Sequence, residues 1–509
     1  MAKIMKQFRK YILLAVALFS ITSCLDKLPE DQILADKAIT TVNEADQAVI
    51  GIYSAFLNSA LYSGSLTLLP DLQCDMAYAV EGYTNKYGDI WRWEILGSNG
   101  EITSVYAALY DIIGRCNFVL EYLDDVERET YDNDELDRVQ QLYGEAYFAR
   151  ALAYSELIKL YCKAYESKEQ AESELGVVIR TEYYSNQIAQ RASLEESYSQ
   201  VLKDLDKAEQ YLELGDDYVG TLFNSTYFCE YVVHALRARV ALYMRNYEDA
   251  ITYSTKVIES GYYLLSSASE EYSSGVTYFD YMWQTDNSTE IIWKIGFTST
   301  NYGGALGTVF FNYDYRSLKP DYVPAKWVLD LYASNDARYL TYFADYQTGY
   351  SHKLSWPLLI KYWGNTNLYN EANLLHMSMP KPFRLAEQYL IRAEAYASLK
   401  TPNYTKAAND IATLRSYRYV NFSGGVNMNK DNAMKIIEEE RIKELYMEGF
   451  RLTDLKRWHK GFERKEQQNS LPEGSSLKID KDNPLFVWPI PNHELESPDA
   501  NILPNDSNK

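Results

Sequence analysis

Histidine and cysteine are scarce, with five of each in 509 residues. The histidines, His234, His352, His376, His459 and His493, stand singly. None forms an H-E-x-x-H or other close metal-binding pair. No C-x-x-C pair occurs, so zinc ribbons and thioredoxin-type redox chemistry have no support. The serine-nucleophile elbow, the P-loop and the Rossmann fingerprint are missing too. Gly303-Gly304 with Gly307 is a flexible loop rather than a phosphate cradle, since no lysine follows. Asp132-Asn133-Asp134 opens like a calcium loop, but Asp137 and Tyr143 stand where that loop needs glycine and glutamate. The residues therefore point to no metal and no cofactor. Positive charge is also in deficit. Lys and Arg number 50 against 71 Asp and Glu, a formal charge of −21. Such a chain repels phosphate backbones, which argues against nucleic acid as a partner.

What the chain does have is a folded protein's balance, 47% hydrophobic and 24% charged. It also has 47 tyrosines. Tyrosine gives a flat apolar face with a hydrogen-bonding tip, useful in cores and in recognition surfaces alike.

The N-terminus carries an export signal. Lys3, Lys6, Arg9 and Lys10 form a basic head, and Tyr11 to Thr22 is an apolar run well short of the ~20 residues that span a bilayer. It ends in Leu18-Phe19-Ser20-Ile21-Thr22-Ser23-Cys24, which looks like a bacterial lipobox with a loose match at Ile21 and Thr22. Residues 1–23 are expected to be removed and Cys24 to carry acyl chains. The mature chain then has 486 residues and a charge of −25. Several acyl chains anchor far more firmly than one. Of the other cysteines, Cys116, Cys162 and Cys229 lie in helical patterns, where buried free thiols are common, and Cys74 completes the set. A disulfide among the four stays open.

Helical repeats organise most of the rest. Residues 234–261 read as a tetratricopeptide-type helix pair, with Ala238 and Ala250 at the close approach and the turn at Asn246-Tyr247. Residues 386–415 repeat the pattern with Ala393 and Ala407. A third unit is expected to start at Glu145, with its partner helix at Leu194 to Leu212. Ile102 to Leu123 is another amphipathic helix, and Asp134 followed by Asp137 suits the cap of its partner. Helix pairs of this kind bury their apolar faces by stacking. The spacing thus predicts a mainly α protein. Its scaffold covers about residues 100–265 and 384–415, after a tether at 24–40. Loop-rich segments at about 62–100 and 266–383 carry a few short strands. Strands are expected at 290–295, 358–363 and 89–94. A C-terminal helix and tail occupy 430–509, the proline-rich tail lying extended along the surface. Residues 41–509 are read as one domain.

Between Glu440 and Trp458, Arg441, Glu444, Glu448 and Arg451 recur every three or four residues, a spacing for salt bridges along one helix. Leu445, Leu452, Leu455 and Trp458 would form its apolar face. That segment is the most telling of six that resemble, in order, the SusD/RagB-like family of outer-membrane nutrient-binding lipoproteins. The others are Cys24 to Pro29, Tyr106 to Asn117, Glu145 to Tyr161, Gly176 to Val178 with Arg191 to Tyr198, and Pro489-Ile490-Pro491 with Glu494-Leu495 and Asn501. The resemblance implies a SusD-like fold and a lipid-anchored protein facing the cell exterior. Such a protein captures oligosaccharides or polysaccharide, less often peptides, and hands them to a SusC-like TonB-dependent transporter without chemistry.

The residues suit that expectation. Sugar rings stack apolar faces on aromatic side chains and need amide or charged partners for their hydroxyls. Trp91 and Trp93, two apart on an expected strand, would share a face, with Tyr83, Asn85 and Arg92 beside them. Trp283, Tyr313, Tyr315 and Trp363 come from the other irregular region. The plain alternative is that several of these aromatics fill the core. Two other functions compete. One is a secreted helical glycan-degrading enzyme, since two carboxylates need no linear motif. The other is a lipid-anchored tetratricopeptide scaffold.

Overall fold

The structure, a computed structural model, describes residues 38–184, 187–212, 225–313, 315–465, 467, 476–498 and 500–508. Cys24, the expected leader and most of the expected tether lie outside them.

Side-chain caps set many of the helix starts. Thr41 and Glu44 form a capping box at α1 (Val42–Ala55), and Asn99 caps α3 (Gly100–Glu129). Between them, α2 (Ser65–Leu72) is buried on every side. The long α4 (Asn133–Tyr161) is capped by Asp132, two residues earlier than the expected Asp134. Nothing interrupts it at Glu145, so the expected start of a third unit there is not observed. One continuous helix packs on α3 and also on α5 (Leu194–Tyr211). Gly144 lets α5 close in, because a Cβ there would meet Leu212 Cγ at 2.5 Å.

The repeat pairs fold as their sequences indicate. Asn246 caps α7 (Tyr247–Ile258), which follows α6 (Glu230–Tyr243). Further along come α8 (Tyr278–Thr285) and α9 (Thr366–Ala372), then α10 (Leu385–Ser398) and α11 (Tyr404–Arg418). Ala238, Ala250, Ala393 and Ala407 are all fully buried. Ala238 and Ala250 cluster with Ile391 and Ala395, so α6–α7 stacks directly on α10.

The strands form small separate sheets. Ala77–Ala79 pairs antiparallel with Tyr322–Pro324, and Ile291–Trp293 with Phe383–Arg384. Leu175–Val178 pairs with Ala189–Ser193, which also takes Ala500–Asn501 in parallel. Phe343–Gln347 pairs with Ser355–Leu359, after which the chain tightens into a 3₁₀ turn at Ile360–Tyr362. The strand expected at 358–363 therefore ends at Leu359.

The charged segment near the end is not one helix. The helix α12 (Ala433–Glu444) stops, Met447 and Gly449 take positive φ of 58° and 85°, and α13 (Arg451–Arg457) starts as a separate helix after the break. At Gly449 a Cβ would stand 3.0 Å from the Leu66 carbonyl, so the turn demands glycine. The ion pairs run between distant elements rather than along a helix. Glu444 holds Arg338, Arg384 and Arg418, and Glu448 holds Lys361 and Arg384. Glu290, Glu440 and Asp336 complete the set. Arg441 pairs with Asp454, and Arg451 with Asp75 and Glu438.

The tail also differs from expectation. Trp488 is fully buried, donates through Nε1 to Gln73 Oε1 at 2.8 Å, and its backbone N–H reaches the Leu160 carbonyl. Asn505 fixes both Tyr161 and Trp488 carbonyls at 2.9 Å. Residues 486–491 fill a slot in the core, between a 3₁₀ turn at Pro484–Phe486 and a short helix at Asn492–Leu495, while most of the described residues beyond 491 stay at the surface. Cys74, Cys116, Cys162 and Cys229 are free thiols.

Candidate functional site

The nine aromatic and polar residues singled out in the sequence separate into three groups. The tryptophans Trp91, Trp93 and Trp283 go inside. Trp91 ends a short helical turn, Gly88–Trp91, and Trp93 has φ +63°, so the expected strand at 89–94 does not form. The two rings consequently enter different cores. Trp91 is 0% exposed and donates to the Ala77 carbonyl at 3.1 Å, while Trp93 packs on Phe462 and Phe486. Neither offers a shared open face, which corrects the platform expected of them. Trp283 is buried under cations, with Lys361 Nζ 4.2 Å and Lys381 Nζ 4.6 Å from its ring centre.

Tyr83, Asn85 and Arg92 do come together, but they bond one another. Arg92 Nη1 donates to Tyr83 Oη at 2.9 Å and Asn85 Oδ1 at 2.7 Å. Its other nitrogens pair with Asp89 and Glu94. The guanidinium is used in fixing the loop.

Tyr313 and Trp363 line a cleft of about 540 Å³. Tyr315 does not line it, but its ring lies 5.5 Å from that of Tyr313. Trp363 is 42% exposed and Tyr315 59%, although Phe, Trp and Tyr of a folded chain favour burial. Tyr346, from the hairpin, sets its ring nearly parallel to Trp363, 16° between planes and 6.2 Å between centres. Tyr369 of α9, Arg316, Gln347, Thr366 and His376 also line the space. Nothing in the sequence distinguishes Tyr346 and Tyr369 from the other tyrosines. Only the pairing of the hairpin and the cap of α9 aim them here.

Trp363 is held rigidly. It follows the 3₁₀ turn and precedes Gly364, whose φ of +126° and tight approach to the His376 backbone, 3.0 Å for an added Cβ, admit only glycine. Phe311 and His376 meet the indole edge-to-face, at 4.8 and 5.8 Å. His376 Nδ1 lies 3.0 Å from the Trp363 carbonyl. A carbonyl only accepts, so that nitrogen carries the proton. Burial holds the His376 pKa below its ordinary value, which keeps the ring neutral. Asn365 anchors the next turn. Its Oδ1 accepts from Asn367 and Leu368 N–H while Nδ2 donates to the Thr285 carbonyl at 2.8 Å and Asp286 Oδ2 at 2.7 Å.

Such a cleft can hold a flat, apolar-faced, hydroxyl-bearing ligand between rings. The carboxylates most perturbed by their surroundings lie elsewhere. Burial disfavours the Glu444 charge, yet Arg418, Arg384 and Arg338 override it and hold its pKa well below the carboxylate range. Among the described residues no group of His, Cys, Asp and Glu is arranged to hold a metal ion, and no helix is long and apolar enough to cross a membrane.

Comparison with known proteins agrees with the architecture. A SusD-like family model described as "Starch-binding associating with outer membrane" matches residues 25–242, and the SusD family model, SusD_RagB, matches 272–500. SusD-like protein P25 of Formosa agariphila is 21% identical, over 97% of this chain and 93% of its own. SusD-like protein P2 of the same organism is 23% identical over 98% and 99%. The crystal structure of a SusD superfamily protein from Bacteroides thetaiotaomicron superposes with a TM-score of 0.76 at 21% identity, covering 91% of this chain and 99% of that one. A SusD-like carbohydrate binding protein from Bacteroides vulgatus gives 0.71 at 19% identity, covering 91% and 98%. Two matched models in sequence order, with this helical frame beneath them, place the chain in the SusD/RagB-like family.

Proposed function

We propose that the protein is a lipid-anchored, cell-surface glycan-binding component of nutrient uptake. It captures oligosaccharide or polysaccharide in the cleft around Trp363 and delivers it to a SusC-like TonB-dependent transporter. One observation carries the reading. A rigidly buttressed, half-exposed Trp363–Tyr346 pair faces an open cleft whose described lining includes no carboxylate. Stacking faces favour sugar rings, while glycoside hydrolysis uses a pair of acids, so binding without cleavage suits this lining best. Anchoring through Cys24 to the outer membrane and exposure to the exterior belong to the same reading, as does residues 41–509 acting as one domain. The family description and the names of the structural relatives support a carbohydrate ligand.

The test is electrophoresis in gels containing starch, xylan, galactomannan or pectin in turn. At least one polysaccharide is expected to retard the wild type and to retard Trp363→Ala less. Reducing ends should stay constant on long incubation. Retardation by none overturns the reading, and release of reducing ends turns it into an enzyme.

A further inference from the structure

A second aromatic cleft, about 320 Å³, lies on the outer side of α8. Helical periodicity divides this helix. Phe279, Met282 and Trp283 face the core, and Tyr278 and Tyr281, three apart, face the cleft. Opposite them stands Tyr272 on the hairpin Glu271–Ser273/Val276–Thr277. All three residues of its strand are exposed, so no core demands an aromatic ring there. Yet Tyr272 stacks on Tyr281 at 4.0 Å and 27°, and meets Tyr278 edge-to-face at 5.8 Å. Tyr272 remains 51% exposed. Contiguous exposed rings of this kind mark recognition surfaces. Around them the wall supplies a carboxylate, an amide and hydroxyls, from Glu270, Asn287, Ser267 and Thr289. Flat apolar faces ringed by such groups suit a saccharide.

The two clefts are joined by α8. Its last carbonyls, Gln284 and Thr285, accept from Thr366 Oγ1 at 3.2 Å and Asn365 Nδ2 at 2.8 Å, and Thr366 lines the first cleft. An eight-residue helix is about 12 Å long.

We propose that the Tyr272–Tyr278–Tyr281 cleft is a second saccharide-binding site and that one polysaccharide chain is held in both clefts at once. This rests on the glycan reading of the Trp363 cleft. Holding a polymer at two linked points raises its affinity with no change at either site. Short oligosaccharides gain nothing from the linkage.

The experiment uses the full mature chain with the polysaccharide that retards it, and a short oligosaccharide cut from that polymer. Calorimetric titration with the oligosaccharide should count two sites per chain in the wild type. One site should remain in Trp363→Ala, and one in Tyr272→Ala. Affinity for the polymer should fall about tenfold or more in each variant. Tyr278→Ala, with melting temperature recorded for all three, provides an independent probe should Tyr272→Ala disturb the hairpin. A single wild-type site that Trp363→Ala abolishes, or unchanged polymer affinity in the tyrosine variants, overturns the second site and leaves the first standing. Lack of retardation by every polysaccharide removes both together.

Discussion

Glu444 accepts from Arg418 through both carboxylate oxygens, Nε to Oε2 and Nη2 to Oε1, each at 3.0 Å. Arg384 and Arg338 reach the same carboxylate from other segments, also at 3.0 Å. One acid thus ties α11 and α12 to the loop-rich region. Cutting Glu444 to alanine leaves buried cations short of a partner, and breaking a buried pair of this kind costs ~3–5 kcal/mol. Chemical denaturation of Glu444→Ala should show a loss of that size. An unchanged midpoint would refute the tie.

The tryptophans should divide by burial. Trp91→Ala empties a core position and should cost ~3–5 kcal/mol of stability. Trp363→Ala should melt close to the wild type, yet lose about tenfold or more in affinity for the polysaccharide, since a ring stack worth on the order of 1 kcal/mol goes together with the link between the two clefts. Melting temperature and affinity measured on the same samples decide it. Heavy destabilisation by Trp363→Ala would place that ring in the core.

Acid should weaken the fold through His234. Burial first, and then Lys256, push its pKa down to about 4. The folded state holds the ring neutral while the unfolded ring protonates near 6.5. The contribution is whole above pH 6.5 and is lost as pH falls towards 4, by at most about 3 kcal/mol at 1.36 kcal/mol per unit. His234→Gln should flatten the decline over that window in unfolding measured against pH. Parallel curves for the two proteins would exclude the effect.

Lipidation is testable without a ligand. A labelled fatty acid should mark the wild type grown in a native-like host. Equal labelling of Cys24→Ala would rule out acylation at that cysteine.

Much of the frame was legible because it depends on local patterns. Ala238, Ala250, Ala393 and Ala407 mark close helix approaches by size alone, and Asn246 marks a cap. The misread places are those where two local meanings compete. Trp91-Arg92-Trp93 alternates like a strand, but Tyr87 and Trp93 adopt positive φ and coil the segment. Glu440 to Trp458 has helical spacing throughout, but Gly449 must pass close to the Leu66 carbonyl. The cleft was half legible. Trp363 and Tyr313 stood out in an irregular stretch, whereas Tyr346 depends on the pairing of its hairpin, Tyr369 on the cap of α9, and the Tyr272 cluster on a short hairpin folding back against α8. Tyrosine is so common in this chain that its presence alone says little.

The buried Trp488 fixes when the protein can finish folding. Gln73, Leu160 and Tyr161 are made early, but the partners that fill the slot beside them, Trp488 and Asn505, leave the ribosome long afterwards. However early the helix pairs form, that slot stays open until the stretch around Trp488 is synthesised. A premature stop anywhere before residue 488 would therefore leave an unfinished chain, however many helices it contains.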